Sequence, residues 1–256
     1  MENLLFFDGE FIILLLYVDD MLIVGRDIGK IDKLKKELSK SFEMKDLGPA
    51  SQILSIKIFQ DRTNVKLWLS QESYMEKVLD KFNMGKAKPV SYPLRSHLKL
   101  SSKQSPSSEK EKEEMRKVPY ASAVGSLMYV MVCTRLDIAH VVRVVNKFLS
   151  NPCKEHWAAV KWIHRFLRGT SKTCLCFGTN KLVLVRCTDA DMARDVDSRK
   201  STSGYLITFS GGAVSWQSRL QKYVALSTME VEYIAFTKAS KELLWMKKFL
   251  QELGLQ

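Results

Sequence analysis

The sequence predicts an α/β (α+β) fold in two parts, on three observations. Residues 11–25, FIILLLYVDDMLIVG, place two apolar runs on either side of an aspartate pair, which is a β-hairpin pattern. Apolar stripes at helical spacing recur over 28–43, 71–82 and the stretches at roughly 120–150 and 154–168. From Leu182 onward, three strand-like runs lead into one long helix.

The elements follow in order. Gly25 ends the second run of the hairpin, and the carboxylates of Asp19 and Asp20 fall at or near its turn. Phe11 to Val18 reads as a buried strand rather than the core of a signal peptide. Glu2, Asp8 and Glu10 precede it, where a signal carries Lys or Arg, and Asp19 and Asp20 follow it, where small residues belong. In the helix over 28–43, Ile31, Leu34, Leu38 and Phe42 share one face and lysines cover the other. Asp46-Leu47-Gly48-Pro49 breaks the chain. Ile53 to Phe59 and Val65 to Leu69 alternate as strands around a turn at Asp61-Arg62-Thr63-Asn64. A helix from about Gln71 to Phe82 buries Tyr74, Val78 and Leu79. Residues 98–118 are charged and serine-rich, the composition of a mobile linker. In the helix over 154–168, Trp157, Val160, Ile163 and Leu167 form an apolar stripe that stops at Gly169. Leu182 to Cys187, Ser203 to Phe209 and Ala213 to Gln217 are the late strands. The last helix, Thr228 to Leu253, buries Val231, Ile234, Ala235, Leu243, Met246, Phe249, Leu250 and Leu253.

Charge points to a class of partner. Forty Lys and Arg against 28 Asp and Glu leave a net charge of +12. That excess favours a polyanion, and nucleic acid is the commonest; a basic soluble surface is the alternative. Arg199, Lys200, Arg219 and Lys222 are candidates for phosphate contacts, although a solvated surface explains them equally. Trp157, Trp162, Trp216 and Trp245 are assigned mostly to the core rather than to base stacking. The five cysteines (Cys133, Cys153, Cys174, Cys176, Cys187) include no Cys-x-x-Cys pair, and Cys174 and Cys176 are expected on one face of a strand. His97, His140, His156 and His164 show no ligand spacing. These patterns argue against a zinc site and for a reducing compartment. No run reaches the roughly 18 apolar residues of a membrane helix.

Tyr17-Val18-Asp19-Asp20 is the sharpest local feature. Adjacent carboxylates between apolar strands must shift their proton equilibrium, find cations or bind metal. A divalent ion resolves the conflict and serves phosphoryl transfer. A solvated acidic turn explains the same four letters. The surroundings favour the first reading. LLLYVDDMLIVG (14–25) resembles the active-site hairpin of reverse transcriptases, specifically those of copia-type retrotransposons. VPYASAVGSLMYVMVCTRLDIAH (118–140) and EHWAAVKWIHRFLRGT (155–170) resemble blocks downstream of that site. The stretch from Thr188 to Ala235 resembles the opening of the family's ribonuclease H domain. The matches follow the family order along nearly the whole chain.

The resemblance implies a partial reverse transcriptase palm/thumb region at 1–97, a charged linker at 98–118, a helical connection at 119–180 and the N-terminal part of a ribonuclease H-like domain at 181–256. It implies that Asp19, Asp20, Asp189 and Glu232 are catalytic and hold Mg²⁺ or Mn²⁺, for phosphoryl transfer on RNA, DNA or an RNA–DNA hybrid. Glu230 competes with Glu232 for the last of these roles. Residues two apart on a helix point about 200° apart, so only one can face the metal. A capping box with Ser227 gives Glu230 a structural task, and Glu232-Tyr233-Ile234-Ala235 matches the family pattern better. The family places a further polymerase carboxylate before the hairpin and further nuclease acids after the last helix. Both sites are therefore expected to be truncated and the isolated chain to have little or no activity. The expected partners are nucleic acid and the remainder of the Pol polyprotein, with no membrane, in the cytoplasm or nucleus. A non-catalytic nucleic-acid- or protein-binding pseudoenzyme is a second reading. A third is a secreted RxLR-type effector acting in a host cell, suggested by Arg165-Phe166-Leu167-Arg168. Such a motif belongs near the N-terminus in a flexible segment, whereas this one lies mid-chain in an expected helix. Leu136 stands where the family usually has Pro, and Ser55 and Arg194 where it usually has Gly. An Arg at a positive φ would strain its turn, so these departures suggest a decaying copy.

Overall fold

The computed structural model describes residues 2–7, 10–94, 99–178 and 182–254; Asp8 and His97 lie outside them. Strands β1 (Glu2–Phe7), β2 (Glu10–Tyr17) and β3 (Asp20–Gly25) form an antiparallel meander. Tyr17 pairs with Asp20, so Val18 and Asp19 are the two-residue loop of the expected hairpin. Ile12 and Leu14 pack with Leu34 of helix α1 (Ile28–Ser41). Leu16, Tyr17 and Val18 are exposed, so among the described side chains of the run only Ile12 and Leu14 are fully buried. Asp27 caps α1, its Oδ1 accepting from the Gly29 and Lys30 amides at 2.7 and 3.4 Å. Phe42, expected on the buried face, is the exposed C-cap residue.

The strand expected over 53–59 is two strands, β4 (Gln52–Ile53) and β5 (Ile56–Asp61). Leu54 and Ser55 join them with φ of 48° and 59°. Two consecutive positive φ values are the type I′ turn, whose twist suits tightly joined antiparallel strands. Strand β6 (Lys66–Ser70) follows a turn organised by Asp61, whose carboxylate accepts from the Thr63 and Asn64 amides and the Asn64 side chain. Helix α2 (Glu72–Lys81) buries Val78 and Leu79 as expected, and also Met75.

The segment expected to be a mobile linker carries a 3₁₀ turn (Ser102–Gln104) and helix α3 (Glu109–Arg116). Ser101 and Ser108 cap them, and Leu100 and Met115 are buried. The helical stretch expected over 120–150 is divided into α4 (Tyr120–Cys133) and α5 (Ala139–Asn146). The break has a cause in Arg135, only 1% exposed. A buried guanidinium needs acceptors. Arg135 finds the Asp137 carboxylate at 2.9 and 2.6 Å, and the carbonyl and hydroxyl oxygens of Thr170 at 3.0 and 2.6 Å. Thr170 is the C-cap residue of α6 (Lys154–Gly169). Residues of α2, α4, α5 and α6, among them Met75, Leu127, Val142, Val160 and Ile163, form the main hydrophobic core. Strand β7 (Leu175–Phe177) returns to pair with β6 and completes the sheet β4-β5-β6-β7. Cys174 precedes that strand, so the expected one-face pair with Cys176 is not formed within it.

Strands β8 (Val185–Asp191), β9 (Thr202–Phe209) and β10 (Gly212–Leu220) form an antiparallel sheet in the order β10-β9-β8. Helix α7 (Thr228–Glu252) packs on β8 and β9, and α5 packs against β10. Val231, Ala235 and Ala239 are the fully buried residues of α7, while Leu243, Met246, Phe249 and Leu250 are half-buried. Length explains the difference. A helix of 25 residues is roughly 37 Å long at about 1.5 Å per residue. Strands of 7 to 9 residues span at most about 30 Å, so the end of α7 overruns the sheet. None of Trp157, Trp162 and Trp216 is fully buried, and Trp245 is 54% exposed, so the tryptophans sit at the margin of the core rather than inside it. Ser55 does adopt a positive φ, but the strain expected at Arg194 falls on its neighbour Ala193, at φ 50°. No helix among the described residues is long and apolar enough to cross a membrane.

Candidate functional site

The hairpin holds Asp19 and Asp20 at its tip, adjacent and exposed. Neither carboxylate makes a hydrogen bond or ion pair with any described residue. The loop residue before them, Val18, has φ 50°. A β-branched residue in the left-handed region is an outlier held there by its surroundings, and such strain gathers at functional turns. Two unpaired carboxylates on a stiff turn offer hard oxygen donors of the kind Mg²⁺ and Mn²⁺ prefer. Among the described residues, no group of three or more His, Cys, Asp or Glu side chains is placed to hold a metal ion.

Asp189 lies in β8 and is exposed. Arg186 of the same strand reaches α7, lying 4.2 Å over the Phe236 ring and donating to the Ser240 hydroxyl at 2.5 Å. Side chains three apart on a strand point to opposite faces. Asp189 therefore projects from the face that α7 does not cover, towards His140 of α5. Burial, followed by the Arg194 charge, holds the His140 imidazole below its ordinary value, and Asp191 and Asp189 oppose that shift. Glu232 is exposed on α7. The two carboxylates thus start from different sides of the sheet, although β8 is one of its two edge strands. Glu230 has the capping task expected of it, displaced by one residue. Its amide donates to Ser227 Oγ at 3.2 Å, and its carboxylate accepts from the Leu226 amide at 2.8 Å.

The remaining acids of this region are structural. Asp191 pairs with Arg194. Asp195 pairs with Lys147 and accepts from Ser198; burial pushes its carboxyl up, but Lys147 and Ser198 outweigh that and hold it below the usual range. Asp197 accepts from the Ser101 hydroxyl at 2.5 Å and the Ser102 amide at 3.0 Å. The motif Arg165-Phe166-Leu167-Arg168 is folded into α6. Phe166 and Leu167 are buried, and the two arginines donate to the carbonyls of Lys88 and Gly85 at 2.7 and 2.5 Å. It is not the flexible segment an effector signal requires. Two cations escaped the sequence reading, Arg143 of α5 and Lys238 of α7, which lie near Arg219. No local pattern could flag them, because their association depends on three elements packing together.

The family described as reverse transcriptase (RNA-dependent DNA polymerase) matches residues 4–96. The retrovirus-related Pol polyprotein from transposon TNT 1-94 of Nicotiana tabacum is 68% identical over 98% of this chain, which spans 19% of that polyprotein. The uncharacterized mitochondrial protein AtMg00810 of Arabidopsis thaliana is 34% identical over 91% of this chain and 93% of its own length. The secreted RxLR effector protein 161 of Plasmopara viticola is 50% identical over 52% of this chain and 94% of its own length. That partial match does not favour an effector reading. No solved structure matches the chain. The order of motifs, the hairpin with its aspartate pair and these matches agree: the chain belongs to the retrovirus-related Pol polyproteins of copia-type retrotransposons and contains reverse transcriptase sequence.

Proposed function

We propose that the chain supplies part of the polymerase and nuclease machinery of a Pol polyprotein, acting on RNA, DNA and their hybrid. In this reading residues 1–97 belong to the polymerase palm and thumb, 98–118 and 119–180 link and support, and 181–256 begin a ribonuclease H-like domain. The observation that carries it is the unpartnered pair Asp19 and Asp20 at the tip of a hairpin inside the reverse transcriptase match. The antiparallel β8-β9-β10 sheet followed by α7 supports the ribonuclease H-like part. Asp19 and Asp20 would hold Mg²⁺ or Mn²⁺ in the first part, and Asp189 and Glu232 in the second. A bound divalent ion stabilises charge on phosphoryl oxygens and lowers the pKa of an attacking hydroxyl or water. The residues of the chain fix where that happens: the hairpin tip presents the two carboxylates on adjacent residues, and Glu230, occupied by its cap, leaves Glu232 as the free acid in the first turns of α7. Each pair offers two carboxylates, fewer than a two-metal centre uses. Little or no catalysis is expected from the chain alone, and its place is with the rest of the polyprotein, inside the cell.

The test is Mn²⁺ binding followed by electron paramagnetic resonance, run beside primer-extension and nuclease assays. Bound Mn²⁺ that decreases in Asp19→Asn, Asp20→Asn, and again on adding Asp189→Asn, supports the assignment. Equal binding by all of these folded proteins refutes it. Metal-dependent DNA synthesis by the wild type, absent from the variants, would retain the site and overturn the expected inactivity.

A further inference from the structure

Four cations converge at the β10 edge of the late sheet, from places far apart in sequence: Arg143 on α5, Arg219 in β10, Lys222 just beyond it and Lys238 on α7. Arg219 is their hub. Burial and then Arg219 hold Arg143 below its ordinary value, and burial, Arg219 and Lys222 do the same to Lys238. None of the four side chains makes a hydrogen bond or ion pair with a described residue. Glu242, one turn after Lys238, accepts instead from the Ser215 hydroxyl at 3.2 Å. Arg143 and Arg219 also line one cleft of about 400 Å³ between α4–α5 and β10, with Met131, Val142 and Trp216 among its apolar walls. The Trp216 indole N–H donates to the Met131 carbonyl at 3.0 Å, which fixes the wall.

Folding has therefore gathered like charges, partly desolvated, without a counter-charge from the described residues. That arrangement is costly alone and favourable beside an anion. Several cations spread along an edge and into a cleft match successive phosphates of a backbone better than a single small ion. We propose that Arg143, Arg219, Lys222 and Lys238 clamp the phosphate backbone of a nucleic-acid strand at the β10 edge, across β9 from the strand that carries Asp189. This rests on the nucleic-acid reading above and adds a location to it.

The test is fluorescence anisotropy of the full chain with a labelled RNA–DNA hybrid across a salt series. Each phosphate contact contributes about 0.9 to the slope of log affinity against log salt. The Arg143→Gln, Arg219→Gln variant should lower the slope by about 1.8 and weaken binding at least about tenfold at moderate salt. Arg143→Lys, Arg219→Lys keeps the charge and should keep the slope. Lys222→Gln, Lys238→Gln should lower it without touching the half-buried arginine, and thereby answers for a first variant that fails to fold. Lys103→Gln, Lys110→Gln, on the exposed surface of the 98–118 segment, is the control. Wild-type binding that none of the clamp variants reduces beyond the control overturns the clamp and spares the nucleic-acid reading. Absence of salt-dependent wild-type binding overturns both. Polyglutamate competing as well as unlabelled hybrid overturns the assignment to nucleic acid.

Discussion

Ser55 and Leu54 occupy the two positions of a type I′ turn, where both φ angles are positive and Gly is preferred at the second. An L-residue in the left-handed region costs about 1–2 kcal/mol, and part of a glycine's gain is lost to its freedom in the unfolded chain. Ser55→Gly should therefore raise stability by about 0.5–1 kcal/mol, read as a higher midpoint in denaturant unfolding; a lower midpoint would mean that the Ser55 side chain matters more than its backbone. Two buried histidines act in the other direction. His156 stacks on Phe148 with ring centroids 3.7 Å apart, and His164 lies beside the Val160 carbonyl at 2.9 Å. Neither Nε2 atom has a hydrogen-bond partner among the described residues, and burial holds both imidazoles below the ordinary value of 6.5. In the unfolded chain they take up protons below pH 6.5 that the folded chain refuses. Stability should fall as pH drops from there towards the folded values, and level off below them. His164→Leu should flatten that fall by up to about 1.4 kcal/mol per pH unit, measured by urea unfolding on both sides of pH 6.5.

At the level of elements, the break between α4 and α5 depends on Arg135 keeping its acceptors. Asp137 is 40% exposed at its side chain while Arg135 is 1% exposed. Removing the acid leaves the buried cation with the Thr170 oxygens and the weakly accepting Met75 sulfur, 3.5 Å away. Asp137→Ala should then cost about 2 kcal/mol, below the range for fully buried pairs because water reaches Asp137. An unchanged midpoint would show that Thr170 and Met75 satisfy the guanidinium without the acid. The Lys147–Asp195 pair joins the end of α5 to the loop after β8. The carboxyl is held below its ordinary value of 3.8. The stability it contributes is present above that value and is lost as pH falls below it through the folded pKa. Lys147→Met should cost about 1 kcal/mol near neutrality and make the acid limb of the unfolding curve shallower; an unchanged limb would remove the pair from the account.

For the whole molecule, ligands that bind only the folded state stabilise it in proportion to their affinity, by about 2.7 kcal/mol at a hundred times Kd. Saturating Mn²⁺ should raise the melting temperature of the wild type, and raise it less in Asp19→Asn, Asp20→Asn. Equal shifts would place the bound ion elsewhere. The net charge of +12 works against compaction through self-repulsion, so moderate salt should stabilise the free chain while it weakens any complex with nucleic acid. Those opposite signs can be read from melting curves with and without a hybrid.

The sequence by itself determined the hairpin with Asp19 and Asp20 at its tip, the stripes of α1, α2 and α6, the strands of the late sheet, the Ser227 cap and the family. Each of these is a local pattern, set by side-chain period, turn chemistry or motif order over a few residues. It misjudged the places where a distant partner decides. Arg135 interrupts a helical pattern because Thr170 is there to receive it. Leu100 and Met115 order a charged segment by reaching buried positions. The short strand β7 exists because β6 offers its free edge. Likewise Arg143 and Lys238 join Arg219 and Lys222 only when α5, β10 and α7 meet, since charge proximity is a property of the packed chain and has no period along it.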